Sequence, residues 1–340
     1  MSRLKSNKVF RTLTAGVWLL GMTLAVSLLI STSPALAQEE FKYGALAHVT
    51  GPIPQYGEYC IRGSQLALED LEKSGWINGK KINFFMEDDK NDPKLALAGL
   101  RKLIDIDKVP IFETSGSSVV LATGPVAQKN KVVLMNVAAQ NPAVRQLGDF
   151  IFSLVPLADR VMIATTKFAY EGVGARKAAV MHINNEYGRG VADTFKKLFE
   201  EYGGKVLTTE VFPMGETDFT THLTKIKFAN ADMVFIVGHE NEQGYCYKKA
   251  KEMGIKVQWF SPPGYAPLVY EIAGDATVGL KFADYIFSAD AGTERMKEFG
   301  QRYKKRYGLL PGNAVARTYD SIMIYAAALK NGARTSEQIR

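Results

Sequence analysis

Thr114-Ser115-Gly116-Ser117-Ser118 sets hydroxyls on both sides of a glycine, directly after the short apolar run at 109–113. The β-branched and aromatic residues of that run predict a strand. The apolar residues at 119–122 continue as a helix, with Ser117 or Ser118 as its natural N-cap. A helix start with free N–H groups and serine hydroxyls holds a carboxylate well, without lysine or arginine. Residues 132–137 form the next apolar run, which leaves through Ala138-Ala139-Gln140-Asn141. Neighbouring strands that end in small polar loops form, in a doubly wound sheet, the crevice where ligands sit. The chemistry implied is capture, and the stretch reads as half of a small-molecule clamp.

Signatures of catalysis are missing. There is no G-x-S-x-G elbow and no H-E-x-x-H helix, and His48, His182, His222 and His239 make no convincing triad by their spacing. Asp88 and Asp89 read as turn and cap residues, with no nucleophile or metal partner near them in sequence. Cys60 and Cys246 fall in different predicted lobes and are expected as free thiols. No cysteine or histidine pair has metal-ligand spacing. The expectation is a binder that is not an enzyme and needs neither cofactor nor metal.

The elements that carry these loops alternate between strand and helix. Predicted strands lie at 41–49, 81–86, 109–113, 132–137 and 150–155, with helices between them. From residue 157 the pattern restarts, with a helix to about 171 and strands at 177–183, 206–212, 232–237, 257–260 and 280–287. Such alternation argues for parallel α/β sheets with right-handed crossovers. Asp92-Pro93 and Asp218 mark helix starts. Helices at about 293–307 and 313–331 would return to the first lobe, and residues 335–340 look like the first turn of another helix.

Before the first strand, residues 1–37 read as a signal peptide. Arg3, Lys5, Lys8 and Arg11 make a basic start. The apolar core at 17–30 is shorter than the ~20 residues of a membrane span, and Ala35-Leu36-Ala37 is a cleavage site. A chain of 340 residues without that leader suits about two domains. The formal charge of +7 is partly the leader's. The remaining basic residues are scattered, which argues against nucleic-acid binding.

The ordered set Thr50-Gly51-Pro52, Gln55-Tyr56-Gly57, Gly63, Ser115-Gly116-Ser117-Ser118, Val133-Leu134-Met135, Ala138-Ala139, Glu186-Tyr187-Gly188-Arg189-Gly190 and Thr217-Asp218-Phe219 resembles the leucine/isoleucine/valine-binding proteins. These are the type I periplasmic receptors of branched-chain amino acid ABC transporters. The resemblance spans nearly all of the chain after the leader. It implies an α/β fold of two lobes with a ligand cleft between them. Lobe 1 would run 38–156, lobe 2 157–285, and 286–340 would return to lobe 1, with the family's last helix, crossing and strands missing. The implied function is periplasmic capture of a small carboxylate-bearing solute, by default a branched-chain amino acid. A monomeric protein would deliver it to an ABC permease in the inner membrane.

By position, the resemblance makes Ser117 the carboxylate serine and Ala138 a backbone contact. Gln140 stands where threonine is usual. Tyr56 matches an aromatic of the side-chain pocket, Tyr187 the second-lobe aromatic that closes over the ligand, and His239 a frequent tyrosine. The main departure is Pro263, where the family often has the glutamate that pairs with the ligand's ammonium. Asp159 at the lobe crossing is the expected substitute, with Glu240 and Glu242 as further candidates. The same departure opens the alternative of aromatic or aliphatic acids or small amides. A ligand-sensing receptor is the other reading of the same fold.

Overall fold

The fold is seen in a computed structural model, which describes residues 40–77, 79–263 and 267–340. Residues 1–37, expected from sequence to be a leader, lie outside the described residues. Residues Lys42–Arg340 form one compact unit.

Among the described residues, strands gather into two five-stranded sheets. The first is built from β1 (Phe41–Ala47), β2 (Ile82–Asp88), β3 (Ile111–Thr114), β4 (Val133–Asn136) and β5 (Ile151–Ser153), in the order β2-β1-β3-β4-β5. The second takes β6 (Lys177–Ile183), β7 (Lys205–Phe212), β8 (Met233–Val237), β9 (Gln258–Ser261) and β10 (Lys281–Phe282), in the order β10-β9-β8-β6-β7. Pairings run parallel, with Ile111 beside Val133 and Ala178 beside Met233. β3, β4 and β8 are buried along their whole length. Continuous apolar runs are what a parallel sheet covered on both faces requires. The order reverses between β1 and β3 and again between β6 and β8, so each sheet has a switch point at which a crevice opens.

The helices between strands are α1 (Pro54–Lys73), α2 (Pro93–Asp105), α3 (Ser117–Asn130), α4 (Ala158–Lys167), α5 (Glu186–Glu201), α6 (Thr220–Ala229), α7 (Glu240–Glu252) and α8 (Pro267–Ala273). α9 (Glu294–Tyr307), α10 (Asn313–Lys330) and α11 (Ser336–Ile339) follow. Phe299, Tyr303 and Val315 pack with Leu66 of α1, which brings the end of the chain back against the first sheet. In the second sheet, Phe195 of α5 stacks on Phe235 of β8 with ring centroids 4.1 Å apart. That stack is worth about 0.5–1.5 kcal/mol beyond simple burial and fixes α5 on its sheet.

Three local expectations are corrected. Ser117 is the first residue of α3 and not its cap. Gly116, at φ 76°, occupies the cap position, and among the described residues no side chain caps the helix. Only Lys281–Phe282 of the stretch 280–287 pairs as strand. The helix expected to reach 171 leaves α-helical geometry after Lys167 and finishes as a wider turn over Phe168–Gly172.

Candidate functional site

The C-terminal ends of strands from both sheets open onto one cleft of about 130 Å³. At about 10–15 Å³ per water-sized position, that volume takes a solute of on the order of ten heavy atoms. Ser117, Ala138, Gln140, Tyr56, Tyr187 and His239, drawn from distant parts of the sequence, all line it, as does Pro263. Asp159 does not. Its carboxylate accepts two hydrogen bonds from Nη2 of Arg145, at 2.7 and 2.9 Å, on the exposed start of α4. That ion pair holds it away from the cleft and corrects the expectation that Asp159 supplies the cleft's negative charge.

The first sheet contributes the hydroxyl and amide groups. Buried Ser117 accepts from the Asn141 N–H at 3.3 Å and keeps its own proton free to donate. The Asn136 side chain gathers the loop after β4, accepting from the Ala139 N–H at 2.7 Å and donating to the Ala139 carbonyl at 2.9 Å. Ala138 and Gln140 thereby sit on a fixed loop. The Gln140 Oε1 is buried without a partner among the described residues.

The aromatic walls follow one local rule in both lobes. Tyr56 and Tyr187 each lie in the first turn of a helix and each precede a glycine. A Cβ on Gly57 would lie 2.5 Å from the His48 carbonyl oxygen, and one on Gly188 only 1.9 Å from that of Ile183. Only glycine lets the helix start press against the strand exit, and that closeness aims the tyrosine into the cleft. Asn185 caps α5, accepting from the Gly188 N–H at 2.8 Å, a contact worth about 1 kcal/mol. His239 stacks on Tyr187 at 5.5 Å and meets Tyr56 edge-on at 6.0 Å. Burial holds its imidazole below the ordinary range, against the pull of Glu242 and Glu240. Its Nε2 has no partner among the described residues. Burial likewise pushes the Tyr56 and Tyr187 phenols up, so both stay protonated donors.

The charged groups of the cleft are ones the sequence reading weighed lightly or missed. Glu240 opens α7, is buried, and accepts from Gln55 Nε2 at 2.8 Å. No cation pairs with it among the described residues. Glu242 faces elsewhere and accepts from the Gly215 N–H at 2.8 Å. Arg317 of α10 also lines the cleft. Its Nε donates to the Val137 carbonyl at 2.5 Å and its guanidinium lies 4.8 Å from the centroid of the Tyr285 ring. A missed array lies beneath. His48 Nδ1 bonds Asp89 Oδ1, and His48 Nε2 meets Ser115 Oγ at 3.0 Å. The connectivity is that of a Ser-His-Asp triad. His48 itself lines the cleft but Ser115 does not, so the hydroxyl of this array is not presented to the cavity. Among the described residues, no cluster of His, Cys, Asp or Glu is arranged to hold a metal ion. Cys60 and Cys246 are buried and unbridged.

Comparison with known proteins places this arrangement. A Pseudomonas aeruginosa protein described as a leucine-, isoleucine-, valine-, threonine- and alanine-binding protein is 30% identical over 251 residues, 73% of this chain and 67% of its own. The structure of a leucine binding protein from Thermotoga maritima superposes with a TM-score of 0.81 at 27% identity, covering 88% of this chain and 85% of that one. An ABC transporter solute binding protein from Rhodopseudomonas palustris BisB5, in complex with 3,4-dihydroxy benzoic acid, does so with a TM-score of 0.79 at 25% identity, covering 89% and 84%. The family model described as periplasmic binding protein matches residues 40–340, and the chain belongs to that family.

Proposed function

We propose that this protein is the substrate-binding component of an ABC importer, exported behind the leader at 1–37. It captures a small carboxylate-bearing solute and presents it to a permease. Lobe 1 is assigned to 38–156 with 286–340, and lobe 2 to 157–285. The observation that carries the reading is the convergence of both sheets' strand ends on a single cleft. One side holds the Ser117 hydroxyl and the loop of Ala138 and Gln140, and the other closes with Tyr187 and His239. Relatives described as leucine-binding make a branched-chain amino acid the default ligand. No bond-making step is required. Hydrogen bonds to a carboxylate contribute about 1.5–3 kcal/mol each, and apolar burial adds about 25 cal/mol per Å². Both are largest in the closed form, so ligand shifts the hinge equilibrium.

A second reading is favoured by a specific observation. Pro263 lines the cleft in place of an acid, and the walls are rings: Tyr56, Tyr59, Tyr187, His239 and Tyr285. Such walls suit an aromatic acid, the class of ligand in the complex from R. palustris BisB5. A thermal-shift panel of branched-chain and aromatic amino acids, their deaminated acids and small amides separates the two, because bound ligand raises the melting temperature by mass action. The Ser117→Ala variant should weaken the best binder by about 1.5–3 kcal/mol in titration calorimetry. Unchanged affinity would remove Ser117 from the site.

A further inference from the structure

Three observations converge on Arg317. Its side chain is partly buried and lines the cleft on the side of the Ala138 loop, since Nε donates to the carbonyl of Val137 immediately before that loop. One face of the guanidinium packs on Tyr285. Neither Nη atom has a hydrogen-bond or ion-pair partner among the described residues. A guanidinium held by one edge and one face, with its remaining edge turned to a cavity, is a pre-oriented fork. Carboxylates match that fork with two parallel N–H···O bonds. Taking a cation out of water without an anion is costly. That cost is felt here, where burial outweighs the nearby Tyr285 and Tyr56 phenols and the weaker pull of the Asp284 carboxylate, and holds the group below its ordinary range.

We propose that Arg317 is the specificity-determining anion anchor of this cleft, so that its ligands are selected for a carboxylate over an isosteric amide. The inference rests on the solute-binding reading and deepens it. A site built only of hydroxyls and N–H groups accepts a carboxylate and a primary amide with modest preference, because an amide oxygen takes the same donors. A guanidinium fork does not, because an amide offers it one acceptor and turns an N–H₂ donor toward a second donor. The same residue gives binding a salt dependence that such a neutral site lacks.

The test is titration calorimetry of the whole protein with four probes: L-leucine, L-leucinamide, 3,4-dihydroxybenzoate and 3,4-dihydroxybenzamide. The proposal expects at least one carboxylate to bind, with its amide about 30-fold weaker or more. Arg317→Met should weaken that carboxylate about 10- to 100-fold and bring the carboxylate-to-amide ratio close to one, with the ligand-free melting temperature little changed. Should Arg317→Met fail to fold, Arg317→Gln, which keeps an N–H to point at the Val137 carbonyl, is read in the same way. A wild type that binds a carboxylate, with either variant keeping both affinity and preference, overturns the role of Arg317 and leaves the binding reading standing. A wild type that binds none of the four removes the binding reading, and this inference with it.

Discussion

Gln55 Nε2 donates to Glu240 Oε2 at 2.8 Å, joining the first turn of α1 to the first residue of α7 across the cleft. The two residues belong to different sheets' helices, so the bond exists only while the lobes are together. A hydrogen bond to a charged acceptor contributes about 1.5–3 kcal/mol. Gln55→Ala is expected to weaken the tightest ligand of the panel by about 10- to 100-fold, mostly through faster dissociation. Stopped-flow and calorimetry check this. An unchanged dissociation rate would mean the bond plays no part in holding the cleft shut.

Glu240 has a second face. It lines the cleft without a cationic partner among the described residues, in a protein whose position 263 is proline. Glu240→Gln can still accept from Gln55 but no longer offers a negative charge. If Glu240 holds an ammonium, the variant costs an amine-bearing ligand about 1.5–3 kcal/mol and leaves its deaminated acid unaffected. Equal losses for L-leucine and 4-methylpentanoate would assign Glu240 to lobe closure alone.

What the sequence made legible, and what it hid, follows from the range of the interactions. Strand exits are local patterns, and the residues they carry, Ser117, Ala138, Gln140, Tyr187 and His239, do meet in one cleft. Asp159 was misread because its partner Arg145 lies outside its own helix, in a short turn that periodicity does not mark. Arg317 was missed because α10 reads as an apolar stripe with an occasional charge, and its partner surface, Val137 and Tyr285, comes from two remote segments. The Ser115–His48–Asp89 array needs β1, β2 and β3 to be neighbours before it exists. The aromatic–glycine pairs Tyr56-Gly57 and Tyr187-Gly188 were visible as motifs, but their cause, contact with a strand-end carbonyl, was not.

Glu113 makes stability depend on pH. It is buried in β3, accepts from the Tyr43 hydroxyl at 3.0 Å and the Cys60 thiol at 3.2 Å, and burial pushes its carboxyl from an ordinary 4.5 up to about 8. An acid with a raised folded value binds more protons folded than unfolded between those two limits. Its contribution is therefore full below about 4.5 and declines as pH rises toward 8, at about 1.4 kcal/mol per pH unit for one proton. Glu113→Gln should flatten this slope and gain melting temperature relative to wild type at pH 8. Melting scans from pH 5 to 8 that are parallel for the two proteins would show that Glu113 titrates normally.

Gly190 separates closure from folding. It lies in α5, where a Cβ would sit 2.5 Å from Asn141 Nδ2. That amide donates to the Glu186 carbonyl at 2.6 Å, again between the two sheets' elements. Within the helix alone, Gly190→Ala is favourable by about 0.5–1 kcal/mol, because alanine loses less backbone freedom. Against Asn141 the added methyl must displace the amide and break its bond to α5, and the side chain is not free to swing aside because its Oδ1 also accepts from the Ala143 N–H at 2.9 Å. The two effects have opposite signs in two measurements. The ligand-free melting temperature is expected to hold or rise, while affinity for the best panel ligand falls by about one hydrogen bond, 0.5–1.5 kcal/mol. A fall in both would make Gly190 a packing requirement of the fold, and a rise in stability with unchanged affinity would mean that the Asn141–Glu186 contact is absent from the ligand-bound form.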